Sequence, residues 1–260
     1  MGTVASKVCL FPLALLAMAL SVSGAKAGAL PAAFVARYSV HHGFFPVGYA
    51  KLSYRESPPG RYEVSSVVKA SGLAARFVHS SVTETSRGSV AGGDYRPSRY
   101  EYHRNGSDAR DAVVRFDWGS NRLISDVGGQ AWSHHLAAGT LDRMAMQLEL
   151  MSALRTGLSA VTYRIADGGP PRTYRWRVQG VETIEVPAGR FRVTKVAGTA
   201  PGRRDTTLWC APALDYLPVR IQQRDASDGT ATMTLQHFSG IGPPQRQSSQ
   251  ERGSVTPRWP

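Results

Sequence analysis

The chain has 260 residues, 42% of them hydrophobic, and a formal net charge of +12 that comes mostly from arginine. This length and apolar content suffice for one sizeable core, which excludes a disordered or collagen-like chain. The arginines are scattered rather than grouped in runs, as on the solvated faces of strands.

An apolar run near the start predicts a secretory signal peptide over residues 1–27. Lys7 gives a short basic start, the stretch from Val8 to Val22 is almost wholly apolar, and the sequence AKA at 25–27 has small residues where a signal peptidase reads. The run is too short for a typical membrane anchor and ends in a cleavage pattern. We therefore expect an exported, periplasmic protein with no transmembrane segment after signal removal and no nucleic-acid partner.

Apolar and polar residues then alternate with a period of two, which predicts β-strands. In segment 61–69 (RYEVSSVVK), one face carries Tyr62 and Val64, and in segment 111–118 (DAVVRFDW) one face carries Phe116. Asn105-Gly106 lies between two such segments and is a strong hairpin signal, because both residues tolerate positive φ. The predicted strands in this half are 61–69, 98–104, 111–118, 122–127 and 130–136.

Residues Thr140 to Arg155 (TLDRMAMQLELMSALR) break this alternation and have helical spacing. Thr140 is the predicted N-cap, Asp142 complements the positive start of the helix, and Gly157 ends it. The apolar stripe of this helix is rich in methionine, so we expect the helix to lie buried across the open face of the sheet. The stripe is either ordinary core packing or a soft ligand-binding wall. Its members are Leu141, Met144, Leu148 and Met151, widened by Met146, Leu150 and Leu154.

The alternating pattern resumes after the helix and continues almost to residue 240. The predicted strands of this half are 161–165, 173–186, 191–196, 205–210, 216–223 and 230–238. About ten strands or more, mostly antiparallel, favour a mainly β fold: a curved sheet that forms a half-barrel or barrel, with one apolar helix packed on or in it. We predict a single β-rich domain over residues 28–240. Residues 241–260, rich in proline, glutamine and serine, read as a disordered tail.

Cys210 lies in the strand DTTLWC and is the one cysteine outside the predicted signal peptide. Its face of the strand also carries Leu208, and the next strand offers an apolar face for pairing. A thiol buried among aliphatic side chains has a raised pKa and is unreactive, so we interpret Cys210 as a packing residue. Catalysis and formation of an intermolecular disulfide are the alternatives.

Other chemistry finds little support in the sequence. The pairs His41-His42 and His134-His135 are predicted on strands, where neighbouring side chains point to opposite faces and cannot ligate one ion. The chain has no GxSxG elbow, phosphate loop or dinucleotide fingerprint. The sequence therefore predicts no catalytic residues, no metal site and no cofactor.

Several stretches taken together resemble the exported proteins of domain of unknown function family 3108. They are YSVHHGFFPVGYAKLSYR, ASGLAARFVHSSVTETSRG, YRPSRYEYHR, TLDRMAMQLELMSALR, GVETIEVPAGRFRVTKV and LWCAPALDYLPVRI. The resemblance reaches to about Gly240 and implies an exported location but no activity. The family usually has an aliphatic or aromatic residue where Cys210 stands, which implies no thiol mechanism common to the family.

A fainter similarity runs to periplasmic lipoprotein carriers of the LolA type. It rests on Leu208-Trp209 followed by the strand from Leu217 to Ile221 (LPVRI). That similarity implies a half-barrel covered by helices that holds acyl chains.

The leading hypothesis is a non-enzymatic periplasmic binding protein that holds a lipid or another envelope amphiphile in an apolar cavity. The candidate ligand-binding residues are Phe116, Trp118, Met144, Leu148, Met151 and Trp176.

Two alternatives remain. The first is a protein-protein interaction or assembly module at the envelope that binds an anionic component through a basic face and the tail. The second is a hydrolase with a site assembled from His42, Asp94 and Glu101. The arginines of the basic face are Arg99, Arg115, Arg164, Arg175 and Arg177.

Overall fold

The computed structural model describes residues 33–71, 81–91, 93–106, 109–200, 205–225 and 229–242. The predicted signal peptide and most of the predicted tail lie outside these residues. The first eight strands are β1 (Ala33–His42), β2 (Phe45–Glu56), β3 (Arg61–Ala70), β4 (Ser81–Ala91), β5 (Asp94–Arg104), β6 (Arg110–Asp117), β7 (Arg122–Val127) and β8 (Gln130–His135).

A two-residue strand and the helix follow, and six more strands complete the fold. These elements are β9 (Thr140–Leu141), α1 (Arg143–Arg155), β10 (Ala160–Ile165), β11 (Arg172–Val186), β12 (Gly189–Thr199), β13 (Asp205–Ala211), β14 (Leu217–Asp225) and β15 (Gly229–Ser239). A short 3-10 turn at Pro212–Leu214 joins β13 to β14.

The 15 strands form one sheet in the order β8-β7-β6-β5-β4-β3-β2-β1-β15-β14-β13-β12-β11-β10-β9. All neighbours are antiparallel except β9 and β10. The two edge strands, β8 and β9, are joined by residues 136–139 alone, which can span at most about 18 Å. The sheet must therefore curl until its edges approach each other, and β9 indeed lies against β5. The result is a barrel-like curl in which, among the described strands, the two edge strands do not pair with each other through hydrogen bonds.

This architecture confirms the predicted fold class. The sheet has 15 strands, which agrees with the prediction of about ten or more; β1, β2 and β4 were not among the predicted segments, because their turn signals are weaker than Asn-Gly. The strand β9 is only two residues long, too short to show any alternation. Where the alternation was read, its inward faces are correct: Tyr62, Val64 and Phe116 are all buried.

The antiparallel order gives the barrel two distinct ends. We call the end at which β1 finishes and β2 begins the mouth end; β14 also finishes there, at Asp225. The opposite end, where β1 begins at Ala33 and β5 begins at Asp94, is the packed end.

The helix α1 lies inside the curled sheet and is buried along most of its length. Its N-cap is Asp142, whose side chain accepts hydrogen bonds from the backbone N–H groups of Met144 and Ala145. This corrects the prediction of Thr140, which instead belongs to β9. The carboxylate is the better cap because it reaches two of the unpaired donors of the first turn at once.

Gly157 terminates the helix, as predicted. The N–H of Gly157 donates to the Leu154 carbonyl, and the N–H of Leu158 donates to the Ala153 carbonyl. This pair of bonds is the Schellman pattern that satisfies the last carbonyls of a helix.

The helix runs from the mouth end towards the packed end. Its last residue, Arg155, lies 3.8 Å from Asp215, which lies in the turn that joins β13 to β14 at the packed end. In the described part of the chain, no helix is long and apolar enough to cross a bilayer.

Candidate functional site

A cavity of about 800 Å3 occupies the barrel interior towards the mouth end. Its walls come from β1 to β6 on one side, from β11 and β13 to β15 on the other, and from the N-terminal half of α1. The helix contributes Met144, Met146, Gln147 and Leu150 to this wall.

The inner wall of the cavity is apolar. Its members are Tyr38, Ala50, Leu52, Val68, Met144, Met146, Leu150, Trp176, Leu208, Ile221 and Met233. The members on strands are inward-facing residues, which the alternation of the sequence brings to one surface, and the helix adds Met144, Met146 and Leu150. Three methionines in this wall provide flexible, polarisable contacts that can adjust to an irregular ligand.

The orientation of Trp176 depends on a glycine on the neighbouring strand. Trp176 is paired with Gly198 across β11 and β12. A Cβ at Gly198 would lie 2.5 Å from the Trp176 ring, so only glycine lets the indole lie flat over β12. The indole N–H points to the sulfur of Met146 at 3.4 Å, which couples the ring to the helix.

Charged side chains surround the opening. The charged residues of the cavity lining are Glu84, Arg104, Arg110, Arg143, Asp167, Asp205, Arg224 and Asp225; its neutral polar residues include Ser66, Gln147, Thr206 and Gln223. Arg110 also lies over the ring of Tyr102, with its guanidinium carbon 5.8 Å from the ring centroid. Basic and acidic groups are mixed in this set, so the rim suits a polar group without selecting one sign of charge.

Glu84 and Arg143 line the cavity and form a cluster with Tyr100, in which the acid and the phenol are buried and the Arg143 side chain is 36% exposed. Tyr100 donates to Glu84 Oε2 at 2.7 Å, and Arg143 Nη2 lies 3.4 Å from Glu84 Oε1. Glu84 faces inward from β4, and the Arg143 charge compensates it. The same carboxylate helps hold the pKa of Arg143 above its ordinary value. Burial raises the pKa of Tyr100, which therefore remains a hydrogen-bond donor.

A second buried carboxylate, Asp142, lies beside this cluster. Ser86 donates to Asp142 Oδ2 at 2.6 Å, and the Ser86 hydroxyl is 3.0 Å from that of Tyr62. Burial raises the pKa of Asp142 from 3.8 to about 7, although its hydrogen bonds act in the opposite direction. These hydrogen bonds connect the start of α1 to β3 and β4. They therefore fix the position of the helix inside the barrel.

Gln147 brings an unsatisfied donor to the cavity wall. Its side-chain amide nitrogen is buried and has no hydrogen-bond partner within the described part of the chain. A buried donor left unpaired costs about 1–3 kcal/mol, which a ligand oxygen in the cavity would offset. Among the described residues that line the cavity, Gln147 is the one with a buried side-chain atom that lacks a hydrogen-bond partner.

The six predicted ligand-binding residues separate into three places. Met144 and Trp176 lie in the cavity wall. Leu148 and Met151 are fully buried in the core, one and two turns further along α1. Phe116 and Trp118 stack on each other with ring centroids 6.2 Å apart, outside the cavity lining, and Trp118 donates to the Pro97 carbonyl.

Cys210 is buried at 1% exposure near the packed end, and no second cysteine lies in the described residues. Burial raises the pKa of its thiol far above the usual value. The structure therefore agrees with the packing interpretation. Trp209 points to the outer face, where its indole N–H donates to Glu182 at 2.6 Å.

The structure does not assemble the hydrolase site. His42 ends β1 at the mouth end, whereas Asp94 begins β5 at the packed end. Glu101 lies on the outer face in ion pairs with Arg87 and Arg99. Among the described residues, no group of three or more histidine, cysteine or acidic side chains is arranged to hold a metal ion.

The predicted basic face divides into two groups. Arg99 is paired with Glu101, and it stands opposite Arg115 across β5 and β6. The remaining three arginines, Arg164, Arg175 and Arg177, share the outer face of β10 and β11, as the register of these strands requires. All three are exposed, and we call them the arginine triplet.

A smaller pocket of about 410 Å3 lies at the packed end beside the start of β1. Its walls include Phe34 and Tyr54 from the inner face but also Val35, Ser53 and Ser65 from the outer face. It therefore wraps around the rim of the sheet and does not enter the barrel.

Sequence reasoning missed most of the cavity wall and the burial of Glu84 and Asp142. The signal for Glu84 was its place in VTETSRG, where it alternates with Ser86 on the face opposite Thr83 and Thr85. An acid in register with inward positions indicates a buried polar cluster, but only once β4 has been identified as a strand.

Comparisons with known proteins bear on the family and the fold. The sequence model of a family described as "Protein of unknown function (DUF3108)" matches residues 37–236. No curated protein matches the chain.

Two solved structures are similar. The crystal structure of a "Beta-barrel-like Protein of Domain of Unknown Function DUF1849" from Brucella abortus has a TM-score of 0.55 and 8% sequence identity, covering 82% of this chain and 99% of that one. A "putative lipoprotein" from Parabacteroides distasonis ATCC 8503 has a TM-score of 0.30 and 14% identity, covering 82% and 98%. At 8% identity the first likeness shows the fold alone, and the second is too weak to carry an argument.

Proposed function

We propose that this chain, which belongs to the DUF3108 family, is an exported binding protein that holds a lipid or another envelope amphiphile and does not transform it. The observation that carries this proposal is the cavity of about 800 Å3 at the mouth end. Ligand pockets for small molecules typically enclose about 300–1,000 Å3, so the volume suits one such ligand.

The distribution of polarity in the cavity supports an amphiphile. The inner wall offers Leu52, Met146 and Met233 to an apolar chain, while Arg104, Arg224 and Asp225 surround the opening. A ligand with its apolar part inside and its polar group at the rim would leave no charge desolvated.

Gln147 adds a specific contact to this arrangement. Its unpaired amide nitrogen would donate to an ester, amide or carboxyl oxygen of the ligand near the junction of its polar and apolar parts. The predicted signal peptide supports an envelope location, where such amphiphiles are abundant.

The first experiment is to purify the protein from its own host and to identify bound molecules by native mass spectrometry and organic extraction. We expect an amphiphile to co-purify with its covalent structure unchanged. A protein that is empty after gentle purification and that fails to bind a fluorescent fatty-acyl probe would refute the proposal.

A cavity-filling substitution tests the location of the ligand. Val68→Trp places a large ring in the cavity from a half-buried position of β3 and should lower probe binding at least about tenfold by excluding the ligand. Lys69→Trp is the matched control, because the adjacent residue on the strand points outward and is exposed. Equal loss in both variants would place binding outside the cavity.

The arginine triplet favours a second candidate, an interaction or assembly module that binds an anionic envelope component. Arg164, Arg175 and Arg177 gather three positive charges on one outer surface. Reversing them to glutamate should then abolish capture of the partner, whereas Val68→Trp should leave that capture intact.

A further inference from the structure

Two consecutive phenylalanines protrude from the tip of the hairpin between β1 and β2. Phe44 is 99% exposed and Phe45 is 76% exposed. Isolated apolar residues on a surface are common, but two adjacent aromatic rings with almost no protein contact require a reason.

The backbone holds the two rings in place. His42 pairs with Phe45, so the loop consists of Gly43 and Phe44 alone. Gly43 has a φ of +57°, which suits the first position of a primed two-residue turn and would strain a residue with a side chain. The Gly43 N–H donates to the Thr230 carbonyl on β15 at 2.9 Å, which anchors the turn to the barrel.

The tip lies at the mouth end of the cavity. His42, next to the turn, pairs with Ala231 at the start of β15. Two residues earlier on β15, Gly229 pairs with Asp225, which belongs to the cavity opening. The rings therefore project from the same rim through which a ligand would enter or leave.

The net charge of the chain favours an anionic surface, since it is formally +12. Near the tip, Arg224 on β14 stands opposite Thr230 and is followed by Asp225. Lys69 on β3 stands opposite Tyr49 and adds a further positive charge near the tip. Anionic phospholipid headgroups attract such basic residues at short range.

The shape of the tip favours a bilayer over a protein partner. A stable protein interface buries about 800 Å2 on each partner, far more than two side chains on a convex turn provide. Aromatic rings at a convex tip instead suit the interfacial region of a bilayer, where they remove apolar surface from water without a shaped partner.

We propose that the tip formed by Gly43, Phe44 and Phe45 inserts its two rings into the interface of a bilayer that contains anionic phospholipid. Docking in this way brings the cavity opening to the membrane surface. The proposed insertion depends only on the two exposed rings at the tip. The idea that docking serves to move a ligand between the membrane and the cavity rests on the proposed function.

Flotation of the purified protein with phosphatidylethanolamine–phosphatidylglycerol vesicles tests this proposal. We expect the protein to float with these vesicles, and the double variant Phe44→Ser/Phe45→Ser to lower the partition coefficient at least about tenfold, because each ring buries apolar surface in the bilayer. Phe44→Trp should retain or strengthen binding, since tryptophan favours the interface. Val181→Ser is the matched control: it removes an exposed apolar side chain from β11, away from the mouth end, and should change nothing.

Circular dichroism melting of each variant excludes unfolding as the cause, because both phenylalanines lie outside the core. Val68→Trp should float like the wild type, so failure of ligand binding and failure of docking are separately visible. The proposal is overturned if the wild type does not float, or if the serine double variant floats equally well. Loss of a protein partner in the double variant, with no vesicle binding by the wild type, would also overturn it.

Discussion

The two ends of the barrel use the same alternating strands but fill their interiors differently. At the packed end, Phe34 stacks on Tyr54 with centroids 5.4 Å apart, and Tyr95 meets both Tyr54 and Tyr62 edge to face. At the mouth end, smaller or more flexible side chains such as Ala50 and Met233 line the cavity instead of filling it.

The helix α1 sharpens this contrast along its own length. Its C-terminal half presents Leu148, Met151 and Leu154 to the packed end, where all three are buried. Its N-terminal half presents Arg143 and Gln147 to the cavity. Buried apolar side chains therefore fill the packed end, whereas the mouth end keeps a cavity and an unpaired donor.

The largest expected effect comes from truncating the packed end. Phe34→Ala should lower the free energy of unfolding by about 3–5 kcal/mol, because a fully buried ring leaves a cavity and loses its stacking partner. Met233→Ala at the mouth end should cost less than about 1.5 kcal/mol, since that side chain already faces empty space. Urea unfolding measures both free energies. Equal losses in the two variants would contradict the claim that the two ends are packed differently.

The second effect concerns Asp142, at the boundary between the two ends. Because its pKa rises to about 7 on folding, the folded protein retains a proton that the unfolded chain releases from about pH 4 upward. This group therefore favours folding most at low pH, and its contribution falls by up to about 4 kcal/mol between pH 4 and pH 7.

Asp142→Asn should flatten this part of the pH profile while keeping the helix cap, because asparagine caps as well as aspartate. Thermal unfolding across pH 4 to 8 provides the measurement. At pH 8 the asparagine variant should be the more stable protein, and near pH 4 the two should be alike. A wild-type stability that rises steadily from pH 5 to 8 would contradict the assignment.

A smaller effect is expected from Gln147→Leu. Removing the unpaired donor should raise the free energy of unfolding by about 1 kcal/mol and lower affinity for the acyl probe about fivefold, because the ligand loses one hydrogen bond. Gln179→Leu, on the exposed face of β11, is the matched control and should change neither quantity. Unchanged probe affinity in Gln147→Leu would show that Gln147 does not contact the ligand.

The smallest effect concerns Cys210 in the packed end. Cys210→Val should change the free energy of unfolding by less than about 1.5 kcal/mol, because a small apolar residue replaces another of similar volume. In a Cys9→Ser background, a thiol reagent should label Cys210 only after unfolding, since burial and its raised pKa protect it. Rapid labelling of the native protein would show that the packed end opens.

Much of the fold could be predicted from local patterns. Alternation at Tyr62 and Val64 correctly assigned inward positions, and the apolar stripe through Met144 and Leu148 correctly predicted a buried helix. The predicted binding residues remain a prediction: Met144 lines the cavity, whereas Leu148 and Met151, on the same stripe, lie in the core. The apolar stripe shows which face of the helix is buried. It does not show whether that face meets packed side chains or a cavity.

The sequence by itself therefore determined the mainly β architecture, the inward and outward faces, the family and the inert position of Cys210, all of which depend on neighbours a few residues apart. Only the tertiary structure decided that the interior is filled at one end and empty at the other. The cavity depends on the summed volumes of side chains that meet across the barrel, such as Leu52, Trp176 and Met233. These residues are far apart in the chain, so no local pattern records whether their volumes fill the space between them.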